Sequence, residues 1–329
     1  MHLPHELQLA IQQLSDSHQH KQLKSARVSI SKDYREGISS HNAFQDPNQL
    51  LSYLITRMPA TFGACVQVFK EIGSRIPGFT PTTLLDLGAG PGTASWAALD
   101  VFPSIEKLQL VEREIEAIEI GKKLAEMTEA NVWKDAQWHR GSLEQTSPFS
   151  QADLAVLSYV FAETADLKII DRLLDSDVSV IAVIEPGTPK GFERIRTIRQ
   201  HVLKRGAHLI APCPHEKACP IREGDWCHFA ARIERTKLHR LLKDGSMGYE
   251  DEKYSYVVFA KISANQIKGR VIRSPQKNSG FVHLPLCSES GELIQETVTK
   301  KNKEIYRAAR DAEWGSAWLH PEQNAKNFF

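Results

Sequence analysis

Leucine, isoleucine and valine recur at three- and four-residue steps through Leu3–Leu14 and again through Gln49–Ile76. That is the period of helices with one apolar face. Pro59 falls inside the second stretch and is read as the start of a new helix, because its ring suits a first helical turn. From Thr82 the pattern changes. TTLLDLG is a short apolar run ending in glycine, and GTASWAALDVF regains helical spacing. KLQLVE precedes the helical IEAIEIGKKLAEMT, and ADLAVLSYV and VSVIAVIEPG are separated by the helical DLKIIDRLLDS. GAHLIAPC and YSYVVFAKI supply the last two strands. Strands alternating with helices predict a parallel sheet with crossovers, an α/β fold.

After Ile262, QIKGRVIRSPQKNSGFVHLPLC reads as two short strands around a Pro/Asn/Ser/Gly turn. VTKKNKEIYRAARDAEWGSAW reads as a basic helix followed by a loop. The expected division is a helical lead-in over 1–80, an α/β domain over 81–262 with a cysteine-rich insertion at about 211–250, and a small basic β appendage with its helix over 263–329.

Composition bounds the function without naming it. Apolar residues make up 41% and charged residues 25% of the 329, ordinary for a globular chain able to bury a large core. No apolar run approaches the roughly 18 residues of a membrane helix, so no membrane partner is expected. The first twenty residues lack arginine and lack a basic segment ahead of an apolar core, so they read as neither a transit peptide nor a secretory signal. The expected location is cytoplasmic, or the mitochondrial matrix in a eukaryote. A net charge of +1 does not by itself suggest nucleic acid, but local basic patches can bind phosphate whatever the total.

LLDLGAGPGT places Asp86, Gly88, Gly90 and Gly92 between a strand and a helix. Glycines there let the backbone approach a ligand, and the helix N-terminus carries partial positive charge. The dinucleotide fingerprint is G-x-G-x-x-G, whereas these glycines stand at every second position. D-x-G-x-G-x-G resembles the first motif of class I S-adenosylmethionine (SAM) methyltransferases, in which the acid before the loop faces the ligand's amino-acid end. Glu112 ends the next strand, where a carboxylate can accept bonds from both ribose hydroxyls. The plainer reading is a glycine turn beside a surface glutamate.

Catalytic residues are not assigned. The chain lacks the N/D-P-P-Y/F motif of exocyclic-amine methyltransferases, and Cys65 is outside the setting of a pyrimidine methylase nucleophile. Ser142 stands where relatives often carry an adenine-reading acid. Ser158, Tyr159 and Glu163 follow the fourth strand and Glu185-Pro186-Gly187 the fifth, at the sheet edge where ligands bind. Each also reads as an ordinary loop residue.

Three of the five cysteines fall in CPHEKACPIREGDWC. Cys213, Cys219 and Cys227 are spaced C-x5-C-x7-C, and Cys287 follows sixty residues later. In a reducing compartment such clustering points to a metal, either zinc or a [4Fe–4S] cluster. The spacings are wider than the C-x2–4-C knuckle usual for zinc and favour the larger cubane, with zinc as the alternative. His208, His215 and His228 are nearby as substitute ligands, as supports outside the ligand set, or facing RNA. Trp226 reads as a shield for the site or a stacking surface for a base.

Lys190–Arg205 holds six Lys/Arg against one acid, and Phe229–Lys243 five against one. With KGRVIR and TVTKKNK they predict a positive face around the cysteines, suited to phosphate contacts with folded RNA. The alternative is solvated helix faces.

The order YLITRMPATFGAC, LLDLGAGPGTASWAA, EPGTP-GFERI, APCPHEKACP, DWCHF-AR, YEDEKYSYV, RVIRSP-K-SG-V-L-LC and Y--ARDAEWG resembles the methyltransferase-like proteins of the mitochondrial small ribosomal subunit and their bacterial relatives. It extends from about Arg27 to Trp318. The resemblance implies a class I methyltransferase fold carrying a [4Fe–4S] cluster on Cys213, Cys219, Cys227 and Cys287. It implies association with the small ribosomal subunit and its rRNA during assembly, with no DNA partner. A cluster shared in this way would pin the appendage to the main domain. The expected function is therefore a SAM-binding, iron–sulfur methyltransferase-like protein acting on small-subunit rRNA or in subunit assembly; the alternative is a non-catalytic assembly factor with a structural cluster or zinc. A redox enzyme fits worst, since no flavin or nicotinamide motif accompanies the cysteines.

Overall fold

Five parallel strands form the core of the sheet, and three of them, Thr83–Leu87, Ala152–Ser158 and Val178–Pro186, are buried on both faces. The computed structural model describes the chain apart from residues 17, 37–45, 129, 145–150, 163–165 and 320–329 and the side chains of 29–36. Strand β1 (Thr83–Leu87) pairs in parallel with β2 (Lys107–Glu112) and β4 (Ala152–Ser158), β2 with β3 (Gln137–Arg140), and β4 with β5 (Val178–Pro186). The long β8 (Tyr249–Ala260) enters antiparallel between β5 and β6 (His208–Ala211). The order is β3-β2-β1-β4-β5-β8-β6. A further strand, β7 (Phe229–Glu234), takes the outer half of β8; Tyr254 pairs with Pro186 on one side and Phe229 on the other.

The six strands expected from apolar runs are all present. Two more were not expected. β3 is mostly exposed, so it carries no apolar run. In β7, Phe229, Ala231 and Ile233 face inward and alternate with exposed residues, a period-two pattern inside a segment read only for its charge.

Helices α1 (His5–Ser15), α2 (His20–Glu36), α3 (Pro47–Thr56) and α4 (Met58–Arg75) form the lead-in. Asp46 caps α3 by accepting the Asn48 N–H at 2.7 Å, and Pro59 sits in the first turn of α4 as its sequence implies. Leu54, Phe62 and Phe69 share one core with Leu84, Leu110, Leu154 and Tyr256, so these helices cover one face of the sheet together with α5 (Thr93–Val101). After α6 (Ile115–Glu126), which follows β2, come α7 (Lys168–Asp175) and α8 (Pro189–Lys204), which cover the other face through Ile169, Leu173, Ile195, Ile198 and Val202. Thr188 caps α8, accepting the Gly191 N–H at 3.1 Å. α9 (Lys237–Lys243) joins β7 to β8.

The appendage has five strands, β9 (Gly269–Val271), β10 (Gln276–Lys277), β11 (Phe281–Ser288), β12 (Leu293–Thr299) and β13 (Ala317–Trp318), where two were expected. β12 is almost wholly exposed and gave no periodic signal. Helix α10 (Lys303–Asp311) closes a small core with Val282, Leu284, Leu286 and Trp318.

Arg270 of β9 fastens this unit to the rest. Its side chain is 1% exposed; Nε donates to the Pro212 carbonyl at 2.9 Å, Nη1 to that of Gly315 at 2.9 Å, and Nη2 pairs with Glu71 of α4. Replacing Arg270 with Met leaves the partly buried Glu71 without its ion-pair partner and the Pro212 and Gly315 carbonyls without their donor. The expected loss is about 3–5 kcal/mol, read as a lower midpoint in urea.

Candidate ligand pocket and cysteine site

A pocket opens at the carboxyl ends of β1, β2 and β4. Asp86, Gly88, Gly90 and Glu112 line it, whereas Gly92 lies behind them as the N-cap of α5. The three glycines have φ between +55° and +83°. At Gly90 a side chain would project into open space, so the bare backbone leaves room for a ligand. The Gly88 and Ala89 N–H groups donate to the Val111 carbonyl at 2.8 and 3.1 Å, tying the loop to β2.

Glu112 is 7% exposed and accepts from the Gly90 N–H at 2.8 Å, the Arg113 N–H at 2.8 Å and the Glu114 N–H at 3.0 Å. Burial raises its pKa and these three bonds oppose the rise. With two bonds on Oε1 and one on Oε2, acceptor capacity is left for a ligand hydroxyl.

Asp86 accepts from the Ser95 N–H at 3.1 Å and its hydroxyl at 2.7 Å. Burial carries its pKa from 3.8 to about 7, opposed by the Ser95 bonds and helped by Glu112. A carboxyl raised in the folded state contributes stability that is fully present below about 3.8 and lost as pH rises through about 7. Asp86→Asn mimics the neutral form. Its melting temperature relative to wild type is expected to rise between pH 5 and pH 8, and equal melting at both would contradict this.

The lead-in adds Tyr53, Arg57 and Thr61 to the pocket wall, which spacing alone did not reveal. Arg57 pairs with Glu252 of β8 at 3.2 Å, and the Tyr159 hydroxyl donates to the same carboxylate at 2.9 Å. Ser142 and Ser158 also line the pocket. Ser158 Oγ lies 3.4 Å from Cys65 Sγ, whose buried thiol is pushed up to about 12. Glu185 is elsewhere: it accepts the Phe161 N–H at 2.9 Å and pairs with Arg194 at 3.1 Å. Glu163 lies outside the described residues.

Beside Ser255, Tyr256 and Val257 of β8, Cys213, Cys219, Cys227 and Cys287 line one pocket together with Arg199, His215 and Arg270. Three come from the segment between β6 and β7 and the fourth from β11. Burial raises the pKa of Cys219 and Cys227 and carries Cys287 to about 12, with repulsion among the sulfurs adding to each. Among the described residues, no three His, Cys, Asp or Glu side chains stand close enough to hold a single metal ion.

Of the histidines, His215 Nε2 lies 3.4 Å from Cys287 Sγ, and burial holds its pKa down to about 4. His228 is buried between Trp226 and Trp314. Neither faces solvent, which corrects the RNA-facing reading for both; His208 pairs with Glu216. The Trp226 indole donates to the Gly187 carbonyl at 3.0 Å, and Trp226, Cys219 and Cys227 all pack against the cluster of Phe192, Ile221, Ile272 and Cys287.

The positive face is smaller than expected. β7 lies antiparallel to β8, which sets Arg232 opposite Asp251 and brings Arg235 and Lys243 to Glu250. Arg205 is held by Asp171 and Asp175, while Arg199 and Arg270 are buried. Lys190, Lys204, Lys237, Lys300 and Lys301 remain exposed.

The 3-2-1-4-5 parallel order with an antiparallel strand slipped in before the last defines an α/β, class I methyltransferase-like Rossmann fold. The chain belongs to the family described as mitochondrial small ribosomal subunit Rsm22, whose model matches residues 47–319. It is 27% identical over 302 residues to the human mitochondrial ribosome assembly protein METTL17, across 86% of this chain and 62% of that protein. It is 23% identical over 445 residues to the mitochondrial ribosome assembly protein RSM22 of Saccharomyces cerevisiae, across 90% and 71%. Thus the chain spans less than two thirds of the human relative's length. Among solved structures, a precorrin-6y C5,15-methyltransferase from Geobacter metallireducens is similar with a TM-score of 0.38 and 15% identity, over 59% of this chain and 87% of that one.

Proposed function

We propose that this chain is a SAM-binding assembly factor for the small ribosomal subunit, with a four-cysteine metal centre, a [4Fe–4S] cluster in preference to zinc, securing its appendage. The observation that carries the reading is the pairing of two pockets: one lined by Asp86, Gly88, Gly90 and Glu112, the other by four cysteines drawn from two parts of the chain. Membership of the ribosomal family supports the partner, small-subunit rRNA and its proteins. The related METTL17 and RSM22 are named as mitochondrial assembly proteins, which supports a matrix setting for this chain if it is eukaryotic. No helix among the described residues is long and apolar enough to cross a membrane. The division at about 80 and 262 separates lead-in, SAM-binding unit and metal-linked appendage.

SAM supplies a methyl group on a sulfonium centre. Glu112 would accept its ribose hydroxyls and Asp86 would face its ammonium, while the backbone at Gly90 allows close approach. For the cysteine pocket, four thiols from two parts of the chain line one buried space, a donor set suited to a thiolate-bound metal. The preference for a cubane over zinc rests on the wide C-x5-C-x7-C spacing of the sequence.

A specific observation favours assembly without methyl transfer. Three polar side chains that line the pocket already have partners within the chain: Tyr159 and Arg57 with Glu252, and Ser158 with Cys65. Calorimetric titration with SAM tests the ligand, and pelleting with purified small subunits tests the partner. Saturable SAM binding with small-subunit-specific pelleting supports the reading. Absence of both would refute it.

A further inference from the structure

Arg199 projects from α8 into the cysteine pocket and is 3% exposed. Its Nε donates to Cys213 Sγ at 3.3 Å, and Nη2 donates to the carbonyls of His215 at 3.0 Å and Lys217 at 2.7 Å. Among the described residues no carboxylate lies within ion-pair distance of it. Its neighbours on and beyond α8 differ: Arg194 has Glu185, Arg196 has Glu193, and Arg205 has Asp171 and Asp175. Arg270, buried in the same pocket, has Glu71. A buried guanidinium without an anion is costly, by several kcal/mol. Four protonated thiols offer it no charge. Four thiolates around a 2+ core carry a net charge of about −2.

We infer that Arg199 is the charge partner of the metal–thiolate group, binding the Cys213 sulfur directly and clamping the Cys213–Cys219 loop through two carbonyls. This rests on the four-cysteine reading above. It makes Arg199 a positioning residue with an electrical signature. A cation and an N–H···S bond stabilise the reduced, more negative cluster more than the oxidised one, and so raise its midpoint potential. A residue that only held the loop would affect retention and leave the potential alone.

The test uses the full chain, purified without oxygen and reconstituted with iron and sulfide, and compares wild type with Arg199→Gln, Arg199→Lys and Arg205→Gln. The midpoint for one-electron reduction by dithionite is read by electron paramagnetic resonance, and retention by competition with an iron chelator. Arg199→Gln is expected to shift the midpoint to more negative values and to weaken retention about 10- to 100-fold. Arg199→Lys should shift it less, and Arg205→Gln should match wild type. An unchanged midpoint in Arg199→Gln, whether or not retention falls, would overturn the inference while leaving the four-cysteine reading intact. If Arg199→Gln does not fold, two measurements decide: the Arg199→Lys midpoint, and an exchangeable proton coupled to the reduced wild-type cluster in deuterated buffer. Should that midpoint match wild type and that proton be absent, the inference fails. A wild-type chain that takes up no metal would refute the four-cysteine reading itself, and this inference with it.

Discussion

Serine at Cys219 or Cys227 is expected to cost the protein both its metal and the attachment of its appendage. The four sulfurs come from the β6–β7 segment and from β11, so whatever they bind bridges two packing units. The appendage's own core is small, built on Val271, Val282, Leu284, Leu286, Val298, Ala309, Ala312 and Trp318. Other links to the body are Arg270 on the Pro212 carbonyl and Glu71, Arg273 on Asp225, the Trp314 indole on the His228 carbonyl, and Ile272 packed with Phe192 and Ile221. Structural metal sites contribute on the order of 10 kcal/mol to folding, more than such a core can replace. The serine variants should lose iron and acid-labile sulfide together. Limited proteolysis should then cut near residue 263, while the sheet bearing Asp86 and Glu112 remains protected. Full protection of the appendage without metal would show that Arg270 and side-chain packing suffice.

Gly90→Val is expected to abolish SAM binding, by at least about 100-fold, while sparing the fold. The φ of +55° makes a branched side chain strained there, at about 1–2 kcal/mol. No heavy atom lies within 4 Å of the position a Cβ would take, so the side chain meets only the space left for the ligand. Melting should fall by no more than a few degrees. Calorimetry with SAM reads the loss directly, and retained affinity would place the ligand elsewhere. At Gly92 the same change would be uninformative, because a Cβ meets Trp133 at 2.8 Å and the fold itself would suffer.

How much of this was legible depends on whether a feature is local in the chain. β1, β4 and β5 are buried on both faces, so their residues form continuous apolar runs. The glycine loop is legible because the turn demands its residue types at fixed spacing. The cysteines were legible as a set by type and resemblance; their convergence required β11 to return beside the β6–β7 segment, which no spacing states. Charge was the least legible. Arg232, Arg235 and Lys243 look like a basic face until β8 supplies Asp251 and Glu250 in antiparallel register. Arg199 is one of six cations in its segment, and only the fold turns it toward sulfur. Tyr53 and Arg57 reach the pocket because α3 and α4 pack over the sheet, with no local mark that they do so.

Ribosome association is the property that decides the assembly role. Tagged wild type, Gly90→Val and Cys219→Ser would be expressed in cells and followed through sucrose gradients with the ribosomal subunits. The predicted result is co-sedimentation of wild type and Gly90→Val with the small subunit and its precursors, and release of Cys219→Ser to the top of the gradient. Wild type remaining at the top, or running with the large subunit, would contradict the assembly role.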